Sequence, residues 1–242
     1  MVAPDHDEEA PMSTDGSRVV GAEPAPAVDG VAAAPAVRAQ ILATEHWSLL
    51  ATRGTTWSEI MSRITIYLTV LSASLLVVAL VAQTSGFGTA FDVASIGLAS
   101  AVLLLGTLTG VRVTNASQDD SAMIVGMNRL RAAYLAIDPS VEPYLVTSSY
   151  DDRYGVMATY ALGQRRGQLG HVLGSTNFFV AAVNAIVAGT LGALVTNAAG
   201  GATWLVAVVG SVCGLGYLAA QVEYGRRMFA NDSLEPRFPT PR

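Results

Sequence analysis

Apolar and polar positions alternate in two different ways along this chain, and the contrast predicts its elements. Residues 64–82 and 93–111 are two stretches of nineteen without a charge, separated by an uncharged turn and Asp92. Each matches the roughly 20 apolar residues that cross a ~30 Å hydrocarbon layer. Residues 172–222 contain no charge at all, and as one helix would run roughly 75 Å, so this stretch is two spans. Asn197, Gly200 and Gly201 supply the break, which places the spans near 172–195 and 204–222. A buried soluble helix keeps a polar face, but around Ala101-Val102-Leu103-Leu104-Leu105 only Ser and Thr interrupt the apolar surface. The expected fold class is all-α: a polytopic membrane protein of four transmembrane helices in two hairpins, with amphipathic cytoplasmic helices.

Outside the spans the period changes to three and four. Trp47, Leu50, Gly54, Trp57 and Met61 recur at that spacing with charges between them, which predicts an amphipathic helix over 38–63 leading into the first span. Its two tryptophans suit either the headgroup layer or packing on another helix. Ser117 followed by Asp119 and Asp120 reads as a helix start. Met123, Met127, Leu130, Tyr134 and Ile137 then continue that helix until Asp138-Pro139 stops it. A turn-rich peptide around Tyr150-Asp151-Asp152 precedes a further helix from about Val156 through Arg165 and Arg166. The chain thus divides into a tail (1–37), an amphipathic helix (38–63), a hairpin (64–112), a helical loop (113–171), a second hairpin (172–222) and a C-terminal tail (223–242). The two halves resemble tandem hairpins of parallel orientation.

Charge orients this arrangement. All fourteen basic residues are Arg; outside the N-terminal tail they flank the spans on one side, and the two short turns contain none. The positive-inside rule therefore places both termini and the central loop in the cytoplasm, as a multi-pass protein of the inner membrane. Residues 1–37 carry seven acids against Arg18, a charge of −6, while the whole chain carries −5; the acidic balance belongs to a tail that reads as disordered. That tail lacks a signal-peptide apolar core, so the first span is expected to act as the signal anchor. The lone Cys213 lies in the fourth span and has no intrachain partner. Arg without Lys, with heavy use of Ala, Gly and Val, suggests a GC-rich bacterial genome.

Candidate chemistry is sparse. Asn177 and Asn184 share one face of the third span, where an amide avoids lipid; they line a path or hydrogen-bond between helices. Gly106 with Gly110, and Gly210 with Gly214, have the four-residue spacing of close helix packing. Asp119-Asp120 and Asp151-Asp152 are acid pairs without the ligand series of a cation site, and capping or a solvated turn is the simpler role for both. His6, His46 and His171 are scattered, and no phosphate-binding glycine loop is present. Neither catalytic residues, cofactor nor metal site is expected, and no nucleic-acid partner.

The string Gly126-Met127-Asn128-Arg129-Leu130-Arg131-Ala132-Ala133-Tyr134-Leu135, with Glu142-Pro143-Tyr144 and Ser149-Tyr150-Asp151-Asp152, resembles the loop signature of an uncharacterised family of bacterial four-span membrane proteins. The resemblance extends from about Glu45 to the fourth span. It implies the architecture and draws attention to Arg129, Arg131, Tyr150, Asp151 and Asp152 as a cytoplasmic interaction surface, but implies no activity. The sequence thus points to a non-enzymatic protein of the lipid bilayer, a homo-oligomer that acts as scaffold or regulator with a cytoplasmic protein partner. A channel or small-solute transporter using Asn177 and Asn184 is the alternative from another class. A membrane enzyme is a third.

Overall fold

The computed structural model describes residues 34–162, 174–230 and 235–241. The expected acidic tail up to residue 33, His6, Arg165, Arg166 and His171 lie outside them. The described residues form helices and no strands. Helix α1 is Pro35–Ser85, α2 is Thr89–Ile137, a 3-10 turn covers Pro139–Tyr144, α3 is Arg153–Tyr160, α4 is Thr176–Ala198 and α5 is Thr203–Ala230. Four of them, α1, α2, α4 and α5, are long and apolar enough to cross a membrane. The fold is therefore all-α and polytopic.

Packing inverts the soluble pattern. Leu75, Leu76, Leu104, Leu108, Ile186, Val212 and Leu215 point outward, whereas Ser95, Thr109, Thr114 and Asn184 are buried. Lipid tails solvate leucine as well as a protein interior does, so the contacts between helices fall to small and hydrogen-bonding residues. Two hairpins result, α1 on α2 and α4 on α5, joined along α2 and α4. Ile60, Ile64, Val113, Ala116 and Val180 fill one part of the seam. Tyr67, Val102 and Val187 fill another. Each hairpin turns on a glycine with positive φ, Gly86 at +67° and Gly200 at +77°, a conformation that costs glycine little.

Helix α4 matches one bilayer crossing, but α1 and α2 have 51 and 49 residues. At ~1.5 Å per residue each is about 75 Å long, more than twice the hydrocarbon thickness. Both therefore continue past the membrane as a two-helix stalk. The boundary is marked by charge: Glu59 pairs with Arg63 and Arg112, Arg112 also with Asp119, and Glu223 with Arg226 and Arg227. Arg63, Arg112 and Arg226 lie roughly 33–35 Å along their helices from the hairpin turns, at one common level.

This continuity corrects two expectations. Ser117 does not start a helix; it lies inside α2 and its hydroxyl donates to the Val113 carbonyl. The Ser-Gln-Asp-Asp cluster marks where α2 leaves the membrane, where polar residues become favourable without any break in the backbone. The helix expected from about Val156 through Arg165 and Arg166 is interrupted: α3 ends at Tyr160 and a turn follows in which Leu162 has φ +50°, while the rest of that stretch lies outside the described residues. After α2, Pro139–Tyr144 forms a 3-10 turn capped by Asp138, whose side chain accepts from Ser140 N.

Candidate functional site

Three polar assemblies stand out. The first holds the stalk together. Asp120, on α2, is 1% exposed and accepts from Arg53 Nε (2.6 Å) and Trp57 Nε1 (2.9 Å) of α1 and from Tyr160 OH (2.7 Å) of α3. Arg53 and Trp57 are four apart, so they project from one face of α1 toward the same carboxylate. Burial alone would raise the Asp120 pKa; the donors Arg53, Tyr160 and Trp57 hold it below the ordinary carboxylate range. The role expected for this acid pair, a solvated turn or helix cap, holds for neither residue: Asp119 is exposed and meets Arg112 but lies inside α2, and Asp120 is buried there. Trp57 thus packs on a neighbouring helix, while Trp47 is 71% exposed. Farther along the stalk His46 stacks on Tyr134 with ring centroids 6.0 Å apart.

The second assembly lies between the apolar helices. Tyr67 OH donates to Asn184 Oδ1 (2.7 Å), tying α1 to α4 across α2. Gly106 makes room for this pair. One level nearer the stalk, Thr114 Oγ1 shares its one proton between Asn177 Oδ1 and the Gly110 carbonyl, each at 3.1 Å. Gln221 Nε2 donates to Tyr217 OH (2.9 Å), and that hydroxyl meets Thr107 Oγ1 at 2.8 Å. Thr107 already donates to the Leu103 carbonyl, so Tyr217 is the donor between them. Gly110 faces Asn184 Nδ2 and Val180, and Gly210 and Gly214 meet Gly189 so closely that a Cβ on Gly214 would lie 2.9 Å from the Ala185 carbonyl oxygen. Both glycine pairs therefore face helices of the same chain. Among described residues, Asn184 Nδ2 is a buried donor with no acceptor.

Interhelical hydrogen bonds of this type contribute about 0.6 kcal/mol on average and up to ~1.7. Tyr67→Phe is accordingly expected to lower stability in mild detergent by about 1 kcal/mol, read as a small drop in thermal midpoint with the helix content intact. A drop several times larger would show that Tyr67 does more than join α1 to α4.

The third assembly gathers the loop residues singled out in the sequence. Asn128, fully buried, donates from Nδ2 to the Tyr150 carbonyl (2.7 Å) and accepts at Oδ1 from Arg131 Nη1 (2.7 Å) and Thr159 Oγ1 (2.9 Å). One amide thereby fixes the 148–152 loop and α3 to the end of α2. Arg129 Nε donates to Asp151 Oδ2 (2.7 Å), and Asp152 caps α3 by accepting from Gly155 N (2.8 Å).

Onto this scaffold docks the C-terminal segment, residues 235–241. Asp151 accepts from the backbone N–H groups of Arg237 (2.9 Å) and Phe238 (2.7 Å), and its own N–H donates to the Phe238 carbonyl (3.1 Å). Asp152 accepts from Thr240 N (3.0 Å) and Thr240 Oγ1 (2.9 Å). Arg129 Nη2 reaches the Glu235 carbonyl (2.8 Å). The Asp151-Asp152 pair is thus a peptide clamp, with its second residue also serving as a cap. Burial would raise both carboxyl pKa values; the amides of Arg237 and Phe238 with Arg129 hold Asp151 low, and the amides of Gly155 and Thr240 with the Thr240 hydroxyl hold Asp152 low.

Undocking removes the donors of Arg237, Phe238 and Thr240 but leaves Arg129 on Asp151 and Gly155 on Asp152, so both pKa values rise part of the way toward the ordinary ~3.9; docking is fully supported above that value and is lost as pH falls through the lowered values. Amide exchange at Arg237, Phe238 and Thr240 is expected to stay slow relative to a free peptide from neutral pH down to about 5, once corrected for intrinsic rates. Loss of protection already between pH 7 and 5 would mean that these carboxylates do not hold the segment.

Sequence reasoning selected Asn184, Arg129 and the Asp151-Asp152 pair but missed Asp120 as an anchor, Tyr67 as the partner of Asn184, and the C-terminal segment as the occupant of the clamp. The Arg53 and Trp57 spacing was the available signal for the first. No family model, curated protein or solved structure matches the chain.

Proposed function

We propose that the chain is a non-enzymatic, multi-pass protein of a bacterial inner membrane that carries a cytoplasmic peptide-binding module and acts as a scaffold or regulator. The observation that carries this reading is the clamp: a buried carboxylate and its neighbour, braced by Asn128 and Arg129, engage a proline-rich segment, bent at Arg237-Phe238, mainly through its backbone. The Arg-rich stalk end and Arg-free hairpin turns support a cytoplasmic position for the module by the positive-inside rule. Because the glycine pairs pack inside one chain, any homo-oligomer is built from other surfaces.

One observation favours the alternative, a channel or small-solute transporter: the unpaired Asn184 Nδ2 between the helices. Ion flux through liposomes containing the full-length protein separates the two. Impermeable liposomes with folded protein are expected. Conductance that disappears on Asn184→Leu would replace the scaffold reading with a channel. Protease cleavage of the C-terminal segment in inverted but not in sealed right-side-out vesicles is the expected orientation result.

A further inference from the structure

Between Pro236 and Pro241 the chain reads Arg-Phe-Pro-Thr, and prolines at 236, 239 and 241 bring no N–H. The three N–H groups that remain, on Arg237, Phe238 and Thr240, all donate to Asp151 or Asp152. The segment's donor pattern and the clamp's acceptor pattern therefore match one to one. Its side chains, by contrast, turn away: residues 235–238 are exposed, Phe238 at 43%. Only the Thr240 hydroxyl is read directly, by Asp152 Oδ1. A recess of about 370 Å³ bordered by Arg129, Glu235, Pro236 and Arg237 leaves space beside the docked segment.

Such a contact buries little apolar surface. It gains from proline, whose fixed φ restricts the segment's backbone before it binds, and from attachment to the same chain, which supplies an effective concentration on the order of millimolar. We infer that the Asp151-Asp152 clamp is an exchangeable site for proline-rich segments of the pattern N–H, N–H, proline, unmodified Thr, and that residues 235–241 are its resident ligand. A segment of the same pattern on another polypeptide fits the same acceptors. A phosphate on the threonine removes the hydroxyl donor and sets negative charge against two carboxylates, so a phosphorylated segment is excluded. The inference deepens the proposal of a peptide-binding module and rests on it.

The test uses the full-length chain in nanodiscs, with hydrogen exchange of the C-terminal amides as readout. Protection of Arg237, Phe238 and Thr240 is expected to fall about tenfold or more in Asp152→Asn and in Thr240→Val, each weakening one bonded set by roughly one factor-of-ten step. Thr240→Val lies in the segment itself, so it leaves the stalk folded. Adding the synthetic peptide Glu-Pro-Arg-Phe-Pro-Thr-Pro-Arg at several millimolar is expected to release the resident segment, whereas the same peptide phosphorylated on threonine is expected to leave it protected. Protection unchanged in both variants, or unmoved by the unmodified peptide, would show a fixed strut. Equal competition by the phosphorylated peptide would show that the hydroxyl is not read. An ion-conducting protein with a displaceable segment would overturn the scaffold reading alone, and an impermeable one whose segment cannot be displaced would overturn the exchange alone.

Discussion

Asp120→Ala is expected to destabilise the stalk by about 3 kcal/mol, the lower end of the range for breaking a buried ion pair. The substitution leaves three donors on two elements, Arg53 and Trp57 of α1 and Tyr160 of α3, without the acceptor they share. A buried charge that loses its partner is costly, but Arg53 keeps 34% of its side chain exposed and recovers water there, which argues against the upper end of about 5. The damage should be local. Proteolysis is expected to open α1 between residues 35 and 59 while the membrane-crossing parts of α1 and α2 stay protected, because their seam is made by Ile60, Ile64, Val113, Ala116 and Val180. Asp120→Asn preserves the shape and one acceptor oxygen and is expected to lose about half as much.

The pH dependence supplies an independent check. Asp120 is held below the ordinary carboxylate range, so its contribution is present above about pH 4 and lost as the pH falls through the lowered value. The wild-type stalk should therefore weaken in acid, and the stability difference from Asp120→Ala should narrow there. A constant difference down to about pH 3 would mean that the carboxylate charge is not what holds the three elements. Equal opening of the membrane hairpins in Asp120→Ala would show that stalk and spans unfold together.

What was legible in the sequence divides along physical lines. The four crossings were readable because a lipid solvent demands uninterrupted apolarity, a property of composition that needs no partner. Asn184 was readable for the converse reason, an amide in an apolar run. Tyr67 was not, since a tyrosine near the end of a span fits the interfacial layer as well as a buried contact; only the fold brings its hydroxyl to Asn184. The same holds for Asp120. Beside Asp119 and three residues after Ser117 it imitates a helix start, and the signal that it is mid-helix lies on another element, in the spacing of Arg53 and Trp57. The clamp was half legible: its acid pair was marked, but its ligand binds through backbone N–H groups, which leave in the sequence only the placement of prolines at 236, 239 and 241.

Gly106→Val should disrupt the packing of the two hairpins at the point where α1, α2 and α4 meet. A Cβ at this position would overlap Asn184 Oδ1 and lie 2.8 Å from Cε2 of Tyr67, so the added side chain must displace the hydrogen-bonded pair that ties α1 to α4. Overpacking of this kind costs about 1–3 kcal/mol, and a displaced Tyr67-Asn184 bond adds about 1. Helix propensity cannot offset this, since relief from glycine in a helix interior is worth no more than about 1 kcal/mol. Gly97 on the same helix is the control: nothing lies within 4 Å of a Cβ built there, and Gly97→Ala is expected to be neutral or slightly stabilising. The coupling can be measured directly. In an Asn184→Ala background the oxygen that a new Cβ would strike is gone, so Gly106→Ala should cost markedly less than it does in the wild type, a coupling of about 1 kcal/mol or more, of the size seen between contacting residues. Additive costs would mean that Gly106 is small for a reason other than room for Asn184.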